Sequence, residues 1–542
     1  MIGRLRFLVA GIAAFVCLAA PSYAQTVDAP AGVLAGQDDG AVRVFKGIPY
    51  ALPPVGPARW KPPSPMPRWS GTRPATQFGL PCFQPKFPGA GIYAGDLGAM
   101  SEDCLFLNVW APAGAAKAPV LVWIHGGALT TGASSEATYD GAKLAAHGIV
   151  VVSINYRLGV LGWLAHPELS AESPLGVSGN YGLLDQIAAL RWIQSNIGAF
   201  GGDPANVTIA GQSAGGLSVM YLMASPQARG LFAKAIAQSA YMISTPELKE
   251  RKFGETPAEE SGSRLLSKLD AKSIAELRAM DAAALTSKAA VAGFAPFGTV
   301  DGQVLPRQLV DTFDKGEQAP VPLLAGFNSG EIRSLTMLAP PSPAFAADYE
   351  NTIRGSYQGL AGLFLQLYPS QHMRESILAT TRDALYGWTA LRLVRSQAML
   401  RQPSFLYFFD HGYPAADDAN LHAFHGSELP YMFGTMDRTP AYWPKAPASD
   451  AALSDAMLDY WSSFARTGQP VAAGAPAWPA YAPVGSYMDF TDAPHPADHL
   501  LPGMFQLHET VVCRRRADGT IPWNWNVGLW SPPLPAGGPG CP

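Results

Sequence analysis

A serine between two glycines, placed where an apolar run gives way to a helical pattern, constrains the fold of this chain most strongly. The run Val207–Ala210 leads into Gly211-Gln212-Ser213-Ala214-Gly215, and a helical pattern follows as far as Met223. In a strand–turn–helix setting, G-x-S-x-G lifts the serine hydroxyl out of a sharp turn at the carboxyl end of a strand. Side chains at the two glycine positions would clash in so crowded a turn. The sequence therefore predicts that Ser213 is an exposed nucleophile in an α/β protein.

Short apolar runs without polar alternation recur along the chain, as is typical of parallel strands buried on both faces. They occupy residues 120–124, 149–154, 207–210, 235–237, 321–325 and 405–409. Helical spacing of apolar residues is found at 183–197 and 450–466, and residues from about 335 to 400 are mainly helical. The alternation predicts a mostly parallel sheet flanked by helices, and the 335–400 segment is interpreted as a helical cap over it.

The composition indicates a large globular protein without a strongly charged partner. Of the 542 residues, 48% are hydrophobic and 15% are charged, which suits an extensive buried core. The formal net charge of -4 is too close to neutral for nucleic acid or an anionic membrane to be a main partner. One basic cluster, Arg514-Arg515-Arg516, is interpreted as a solvated turn.

The N-terminus has the features of a secretory signal peptide. Arg4 and Arg6 precede an apolar run from Phe7 to Ala20, and Ser22-Tyr23-Ala24 provides a small-x-small cleavage site. We therefore predict that residues 1–24 are removed and that residues 25–542 form the catalytic domain. The apolar run is short for a membrane span, so a secreted or periplasmic protein with no stable membrane anchor is expected.

Four cysteines follow the predicted cleavage site, namely Cys82, Cys104, Cys513 and Cys541. An even number of cysteines in an exported protein predicts two disulfides. Three connectivities are possible, of which the two local pairs, Cys82–Cys104 and Cys513–Cys541, are the simplest. No cysteine pair has zinc-finger spacing and no HExxH motif occurs, so neither a metal nor another cofactor is expected.

A second glycine-rich loop supplies a further requirement of acyl chemistry. A serine hydroxyl needs a neighbouring base, and the attacked carbonyl oxygen needs preorganised N–H donors as it becomes negative. His125-Gly126-Gly127-Ala128 follows the apolar run 120–124 and fits an oxyanion loop. The backbone N–H groups of Gly127, Ala128 and Ala214 are therefore the candidate oxyanion hole. His125 is interpreted as a structural residue that holds this loop.

A series of further segments occurs in a fixed order between about Gly47 and Tyr481. They are Gly47–Ala51, Ser101–Asn108, Asn155–Arg157, Gly179–Gln186, Phe200–Pro204, Trp461–Ala465 and Trp478–Pro479. Together with the serine motif, this series resembles the type-B carboxylesterase family, which includes the cholinesterases and bacterial para-nitrobenzyl-type esterases. The resemblance implies an α/β-hydrolase fold and the hydrolysis of carboxylic esters.

The resemblance also implies the two remaining members of a catalytic triad. Glu331 ends a segment similar to the one that carries the family's acid, and His425 lies in a segment similar to the one that carries its histidine. Both residues follow predicted strands and would emerge at the sheet edge where Ser213 lies. From the residues alone the choice stays open, because His422 competes with His425 and Glu428 competes with Glu331.

Substrate specificity is only partly indicated. The resemblance implies a Cys82–Cys104 disulfide, but residues 83–103 contain no tryptophan that could hold a quaternary ammonium, so a choline ester is not expected. Leu129 and Arg333 are candidate substrate-binding residues. Arg333 is either a solvated or salt-bridged side chain or a carboxylate anchor for acidic esters. The latter would suit a polycarboxylate ester, of the sort cleaved by fumonisin-detoxifying members of the family.

Rival functions come from two classes. Lipases, amidases and carbamate hydrolases use the same machinery and differ in the shape of the pocket. The family also includes cholinesterase-like adhesion domains, so a non-catalytic interaction protein is the alternative outside the hydrolases. We expect a secreted serine carboxylesterase that acts on small-molecule esters as a monomer or homodimer.

Overall fold

A computed structural model describes residues 25–86, 92–93, 95–538 and 540–541. The predicted signal peptide, residues 1–24, lies outside the described residues. Within those ranges, no helix combines the length and the apolar character needed to cross a membrane.

Within the described part of the chain, thirteen strands form a single sheet. In chain order they are β1 Gln25–Ala29, β2 Gly32–Asp38, β3 Val42–Pro49, β4 Thr72–Pro74, β5 Phe106–Pro112, β6 Ala118–Ile124, β7 Val150–Ile154, β8 Gly202–Gln212, β9 Lys234–Gln238, β10 Leu323–Asn328, β11 Ser404–Phe409, β12 Tyr487–Phe490 and β13 Pro494–Ala497. Their spatial order is β1-β2-β3-β5-β7-β6-β8-β9-β10-β11-β12-β13, with β4 paired to β2. The strands from β7 to β12 in this order run parallel, and antiparallel strands complete both ends.

The parallel centre of the sheet is buried on both faces. Along β6, Val120 and Val122 belong to one hydrophobic core, whereas Leu121 and Trp123 belong to the core on the opposite face. All four side chains are fully buried, which accounts for the absence of polar alternation in this run. The mostly parallel sheet predicted from such runs is confirmed.

Each of the six predicted strands is present, and their limits differ from the predicted ones by several residues in two cases. The strand before the serine motif begins at Gly202, and the strand predicted at 321–325 covers Leu323–Asn328. The antiparallel strands at the start of the chain were not predicted. Their residues alternate between exposed and buried positions and include polar side chains, as in Gln25–Ala29, so they lack the continuous apolar signal.

Helices flank both faces of the sheet. In the described residues they are α1 Ala142–Ala146, α2 Gly159–Trp163, α3 Pro167–Glu172, α4 Tyr181–Asn196, α5 Ala214–Ala224, α6 Ala258–Lys268, α7 Ile274–Ala279, α8 Ala282–Val291, α9 Leu309–Asp314, α10 Ala346–Tyr357, α11 Ala361–Leu367, α12 Met373–Arg382, α13 Trp388–Met399, α14 Pro414–Asp418, α15 Leu429–Phe433, α16 Ala451–Thr467 and α17 Met504–Asp518. The helices predicted at 183–197 and 450–466 correspond to α4 and α16.

The segment interpreted as a cap is helical, with a π-helical turn at Asp383–Gly387 between α12 and α13. Its last helix, α13, packs directly against β10 and β11. This helix therefore belongs to the layer that covers the sheet.

The arginine cluster is not the solvated turn that the sequence suggested. Arg514, Arg515 and Arg516 lie in the last turns of α17. Arg515 is fully buried and donates to the carbonyl oxygens of Pro522, Trp525 and Asn526. Backbone carbonyl groups, which no sequence pattern marks, compensate the desolvated guanidinium.

Both local cysteine pairs are joined. Cys82 is bonded to Cys104 and Cys513 is bonded to Cys541. The first disulfide closes a loop beside the site described below, and the second ties the C-terminal segment to α17.

Candidate active site

Ser213 occupies a sharp turn between β8 and α5. Its backbone has φ 58° and ψ -123°, a strained conformation for a residue with a side chain. A Cβ at Gly215 would lie 2.0 Å from the carbonyl oxygen of Ile124, and one at Gly211 would lie 2.5 Å from the carbonyl of Gly215. The Ser213 N–H donates to the carbonyl of Gln238 at 2.9 Å. Both glycines are therefore required by close backbone approach, as the motif predicted.

Glu331 and His425 meet at the carboxyl edge of the same sheet. Glu331 follows β10, is fully buried, and accepts a hydrogen bond from the Asn328 N–H at 2.8 Å. Its second carboxylate oxygen accepts a hydrogen bond from Nδ1 of His425. The two loops are also joined through their backbones, since the Gly330 N–H donates to the carbonyl of Ala423 at 2.9 Å.

The other imidazole nitrogen of His425 points towards the serine turn. Its Nε2 lies 3.2 Å from the side-chain nitrogen of Gln212, the residue before Ser213. With Nδ1–H bonded to Glu331, Nε2 carries the lone pair, and it accepts from the Gln212 amide. The Ser213 Oγ itself forms no hydrogen bond with any described residue. The structure thus brings Glu331 and His425 into direct contact, and connects them to Ser213 through its neighbour Gln212.

The competing residues have other partners. His422 is held between Asp410, 3.1 Å from Nε2, and Asp417, 2.7 Å from Nδ1. Hydrogen bonds to these carboxylates raise the pKa of His422. Glu428 accepts hydrogen bonds from the side-chain amides of Asn328 at 2.7 Å and Gln238 at 3.1 Å. Burial, together with the negative charge of Glu331, raises the pKa of Glu428 to about 7.

The glycine-rich loop leaves backbone donors free near the serine. Gly127 has φ 101° and Ala128 has φ 53°. Their N–H groups donate to no other group among the described residues. Ala214 is the first residue of α5, where backbone N–H groups have no partner within a helix. Leu129, a candidate substrate-binding residue, has only 1% of its surface exposed in this structure.

His125 has the surroundings of a structural residue. It is buried, its Nδ1 contacts the carbonyl of Gly126 at 2.9 Å, and its ring stacks on Tyr156 with centroids 4.6 Å apart. The Tyr156 hydroxyl donates to the His125 carbonyl at 2.9 Å. Burial lowers the pKa of His125 to about 4, so the imidazole is neutral at physiological pH.

Arg333 is occupied by protein groups. Its guanidinium forms an ion pair with Glu375 and donates to the side-chain oxygen of Asn420 at 2.9 Å. This arrangement corresponds to the salt-bridged interpretation of Arg333. The sequence alone could not distinguish a salt-bridged arginine from a carboxylate anchor, because the partner Glu375 lies on α12 and no local pattern links it to Arg333.

Sequence reasoning missed several residues around His425. The rings of Tyr386 and Tyr93 lie 5.3 Å and 6.3 Å from the imidazole. Tyr386 lies in the π-helical turn, a type of distortion often found at functional sites. Gln212 was visible inside the serine motif, and Asn328 inside the segment of the proposed acid. No local pattern marked either tyrosine.

Comparisons with known proteins identify the family to which this chain belongs. Residues 23–504 match the model of the carboxylesterase family. A curated fumonisin B1 esterase from Sphingopyxis macrogoltabida is 36% identical over 87% of this chain and 88% of its own length. The para-nitrobenzyl esterase of Bacillus subtilis is 37% identical over 84% of this chain and 92% of its own length.

A solved structure of a PNB esterase superimposes with a TM-score of 0.75 at 33% identity, covering 90% of this chain and 99% of the esterase. The chain therefore belongs to the carboxylesterase family and is a carboxylic-ester hydrolase of the α/β-hydrolase fold.

Proposed function

We propose that the protein is an exported serine carboxylesterase whose catalytic triad is Ser213, Glu331 and His425. The observation that carries the proposal is the hydrogen bond between Glu331 and Nδ1 of His425, formed beside the strained turn that bears Ser213. Nucleophile, base and orienting acid in this chain order are expected for an α/β-hydrolase. His422 also pairs with carboxylates, but it forms no hydrogen bond with the serine turn among the described residues, and Glu428 accepts from side-chain amides instead of an imidazole.

In the proposed reaction, Ser213 Oγ attacks the ester carbonyl carbon while Nε2 of His425 takes the hydroxyl proton. Glu331 holds the imidazole in the required tautomer and stabilises the imidazolium that forms. The carbonyl oxygen becomes an oxyanion that the N–H groups of Gly127, Ala128 and Ala214 can bind. Return of the proton to the departing alcohol oxygen breaks the C–O bond and leaves an acyl-enzyme. Water then repeats the sequence and releases the acid.

Gln212 implies one rearrangement before attack. In the free protein its amide occupies the lone pair of His425 Nε2 at 3.2 Å. Catalysis requires that lone pair for the Ser213 proton, so the Gln212 contact is exchanged for the serine hydroxyl when a substrate enters. Catalytic hydrogen bonds that are long or unaligned in a free enzyme commonly tighten in this way.

The substrate class is proposed as carboxylic esters of small molecules. A narrower specificity for acidic esters was inferred from Arg333, and a relative bears the name fumonisin B1 esterase. The Arg333 guanidinium is already neutralised by Glu375, which argues against a free carboxylate anchor. We therefore propose the broader class and keep acidic esters as the narrower candidate. Lipase and carbamate hydrolase activity depend on the same residues and would be distinguished by the substrate.

Export is part of the proposal. It is supported by the signal-peptide features of residues 1–24 and by two disulfides in the mature chain, which fit an oxidising compartment. N-terminal sequencing of the protein recovered from the periplasm or medium should begin at Gln25. Recovery of an intact N-terminus from the cytoplasm would contradict export.

Labelling with a fluorophosphonate tests the nucleophile and the rival non-catalytic function together. We expect stoichiometric labelling of Ser213, and loss of both labelling and ester turnover in Ser213→Ala, with the fold intact by circular dichroism. Ser239→Ala is the matched control, since this buried serine follows the neighbouring strand β9 and its hydroxyl has no hydrogen-bond partner among the described residues. Undiminished hydrolysis by Ser213→Ala, or an unlabelled wild-type protein, would reject the proposal.

A further inference from the structure

The backbone of His425 is held by two hydroxyl groups from other parts of the chain. The Tyr93 hydroxyl donates to the His425 carbonyl oxygen at 2.6 Å. The His425 N–H donates to the Ser334 Oγ at 3.3 Å. The two hydroxyl oxygens are 2.8 Å apart and therefore hydrogen-bonded to each other. A closed ring of three hydrogen bonds results.

Only one arrangement of protons satisfies all three contacts. Since the Tyr93 proton goes to the His425 carbonyl, the Ser334 hydroxyl must donate to the Tyr93 oxygen. The Ser334 oxygen then accepts from the His425 N–H. The donors thus follow one another around the ring, and hydrogen bonds arranged in this way polarise and strengthen one another. The N–H and the carbonyl group of His425 are therefore both held in place.

The ring also joins the two loops that carry the proposed acid and base. Ser334 follows directly on the short helical turn Glu331–Arg333. The loop with Glu331 is therefore coupled to the His425 backbone through Ser334, in addition to the direct contact between the side chains. A shift of Tyr93 would loosen both ends of this connection.

Tyr93 reaches this position from a loop that a disulfide closes. It lies midway between Cys82 and Cys104, which are bonded and buried. The base of the loop is fixed further by Gln84, whose amide exchanges two hydrogen bonds with the backbone of Gly132, at 2.8 and 3.0 Å. Next to Tyr93, the carbonyl of Ile92 accepts a hydrogen bond from the Trp443 indole.

We propose that Tyr93 is a positioning residue for the general base: its hydroxyl, delivered by the Cys82–Cys104 loop, fixes the His425 backbone so that the imidazole faces Ser213. This inference rests on the proposed triad. Tyr93 transfers no proton to the substrate and acts only through His425. The disulfide contributes to turnover because it limits the positions that the Tyr93 hydroxyl can occupy.

The first test is Tyr93→Phe, which keeps the ring and removes only the hydroxyl. Removing the hydroxyl that fixes the imidazole should lower kcat by about fivefold with KM unchanged, and the free energy of unfolding should fall only by the net contribution of one hydrogen bond. Tyr442→Phe is the matched control, because Tyr442 is similarly exposed, 48% against 46% for Tyr93, and its hydroxyl has no hydrogen-bond partner among the described residues. An unchanged kcat in Tyr93→Phe, or an equal fall in Tyr442→Phe, would overturn the proposal.

Ser334 provides an independent arm of the test. Ser334→Ala breaks the ring at a second point and should lower kcat as Tyr93→Phe does, whereas Ser334→Thr retains a hydroxyl and should restore most of it. The double variant Tyr93→Phe/Ser334→Ala should lose less than the product of the two single effects, since both remove the same ring. Fully multiplicative effects would contradict a shared role.

The role of the disulfide is tested by Cys82→Ala/Cys104→Ala in two backgrounds. Opening the loop should lower kcat when Tyr93 is present and change it little in Tyr93→Phe. Equal losses in both backgrounds would show that the loop acts in another way. Fluorophosphonate labelling of every variant separates the two proposals. Labelled Ser213 with an unaltered kcat refutes only the role of Tyr93, whereas an unlabelled Ser213 refutes the triad.

Discussion

Glu428 lies beside Glu331 in the buried interior of the site, and Asn328 bridges the two carboxylates. The backbone N–H of Asn328 donates to Glu331 at 2.8 Å, and its side-chain amide donates to Glu428 at 2.7 Å. Among the described residues, His425 is hydrogen-bonded to Glu331 and not to Glu428. Of these two neighbouring buried carboxylates, only Glu331 is therefore placed to orient the imidazole of His425.

Exchange of each acid for its amide should separate these roles. Glu331→Gln removes the charge that stabilises the imidazolium and presents an amide to Nδ1, so we expect kcat/KM to fall by about a thousandfold. Glu428→Gln, the matched control, should lower it less than about tenfold, because only amide contacts are altered. Steady-state kinetics on a neutral ester measures both. A larger loss in Glu428→Gln would reverse the assignment.

The pKa of Glu428 predicts a pH dependence of stability. In the folded protein this pKa is raised from 4.5 to about 7, so the folded state keeps a proton that the unfolded state releases between these values. The free energy of unfolding therefore decreases, through this group, as the pH rises across that window. Glu428→Gln lacks the effect. Relative to wild type, its free energy of unfolding should increase between about pH 5 and pH 8, by up to about 3 kcal/mol.

Urea denaturation of both proteins at the two pH values measures this difference. Parallel stability profiles for wild type and Glu428→Gln would show that Glu428 is already ionised in the folded protein at the lower pH.

The two histidines of the same loop form a natural matched pair. His425→Ala removes the proposed base and should lower kcat/KM by at least about a thousandfold. His422→Ala should keep near-normal activity, since the imidazole of His422 is bonded to Asp410 and Asp417 and forms no hydrogen bond with the serine turn among the described residues. Turnover and fluorophosphonate labelling rates should fall together for His425→Ala. Comparable losses in the two variants would instead indicate that the loop as a whole is required.

Arg333→Ala tests whether the protein selects acidic esters. Because Arg333 is paired with Glu375 and Asn420, we expect the ratio of kcat/KM for a carboxylate-bearing ester to that for its neutral analogue to stay the same. The stability cost should be below about 1 kcal/mol, as for other partly exposed ion pairs. Arg438→Ala is a suitable control for loss of a surface ion pair, here with Asp140. A selective loss of the acidic substrate would restore the anchor hypothesis.

The parallel strands and the serine turn could be predicted because their signals are local. The runs around Val120 and Val207 are apolar on both faces. Gly211 and Gly215 indicate a turn so crowded by neighbouring backbone atoms that no side chain fits there. The edge strands and the burial of Arg515 could not be predicted in this way. Their environments are made by segments distant in sequence, and a mixed polar pattern does not distinguish an edge strand from a loop.

The sequence by itself determined which chemistry the chain carries. It contains a serine on a glycine-flanked turn, a glycine-rich loop that fits an oxyanion hole, and a family pattern that implies an acid and a histidine. Only the tertiary structure decided which side chains meet, pairing His425 with Glu331, His422 with two aspartates, and Arg333 with Glu375. It also brought Tyr93 to the His425 backbone. The physical reason is that a hydrogen bond forms only when donor and acceptor lie about 3 Å apart. Loops distant in sequence set these distances where they meet at one edge of the sheet, and local sequence does not encode them.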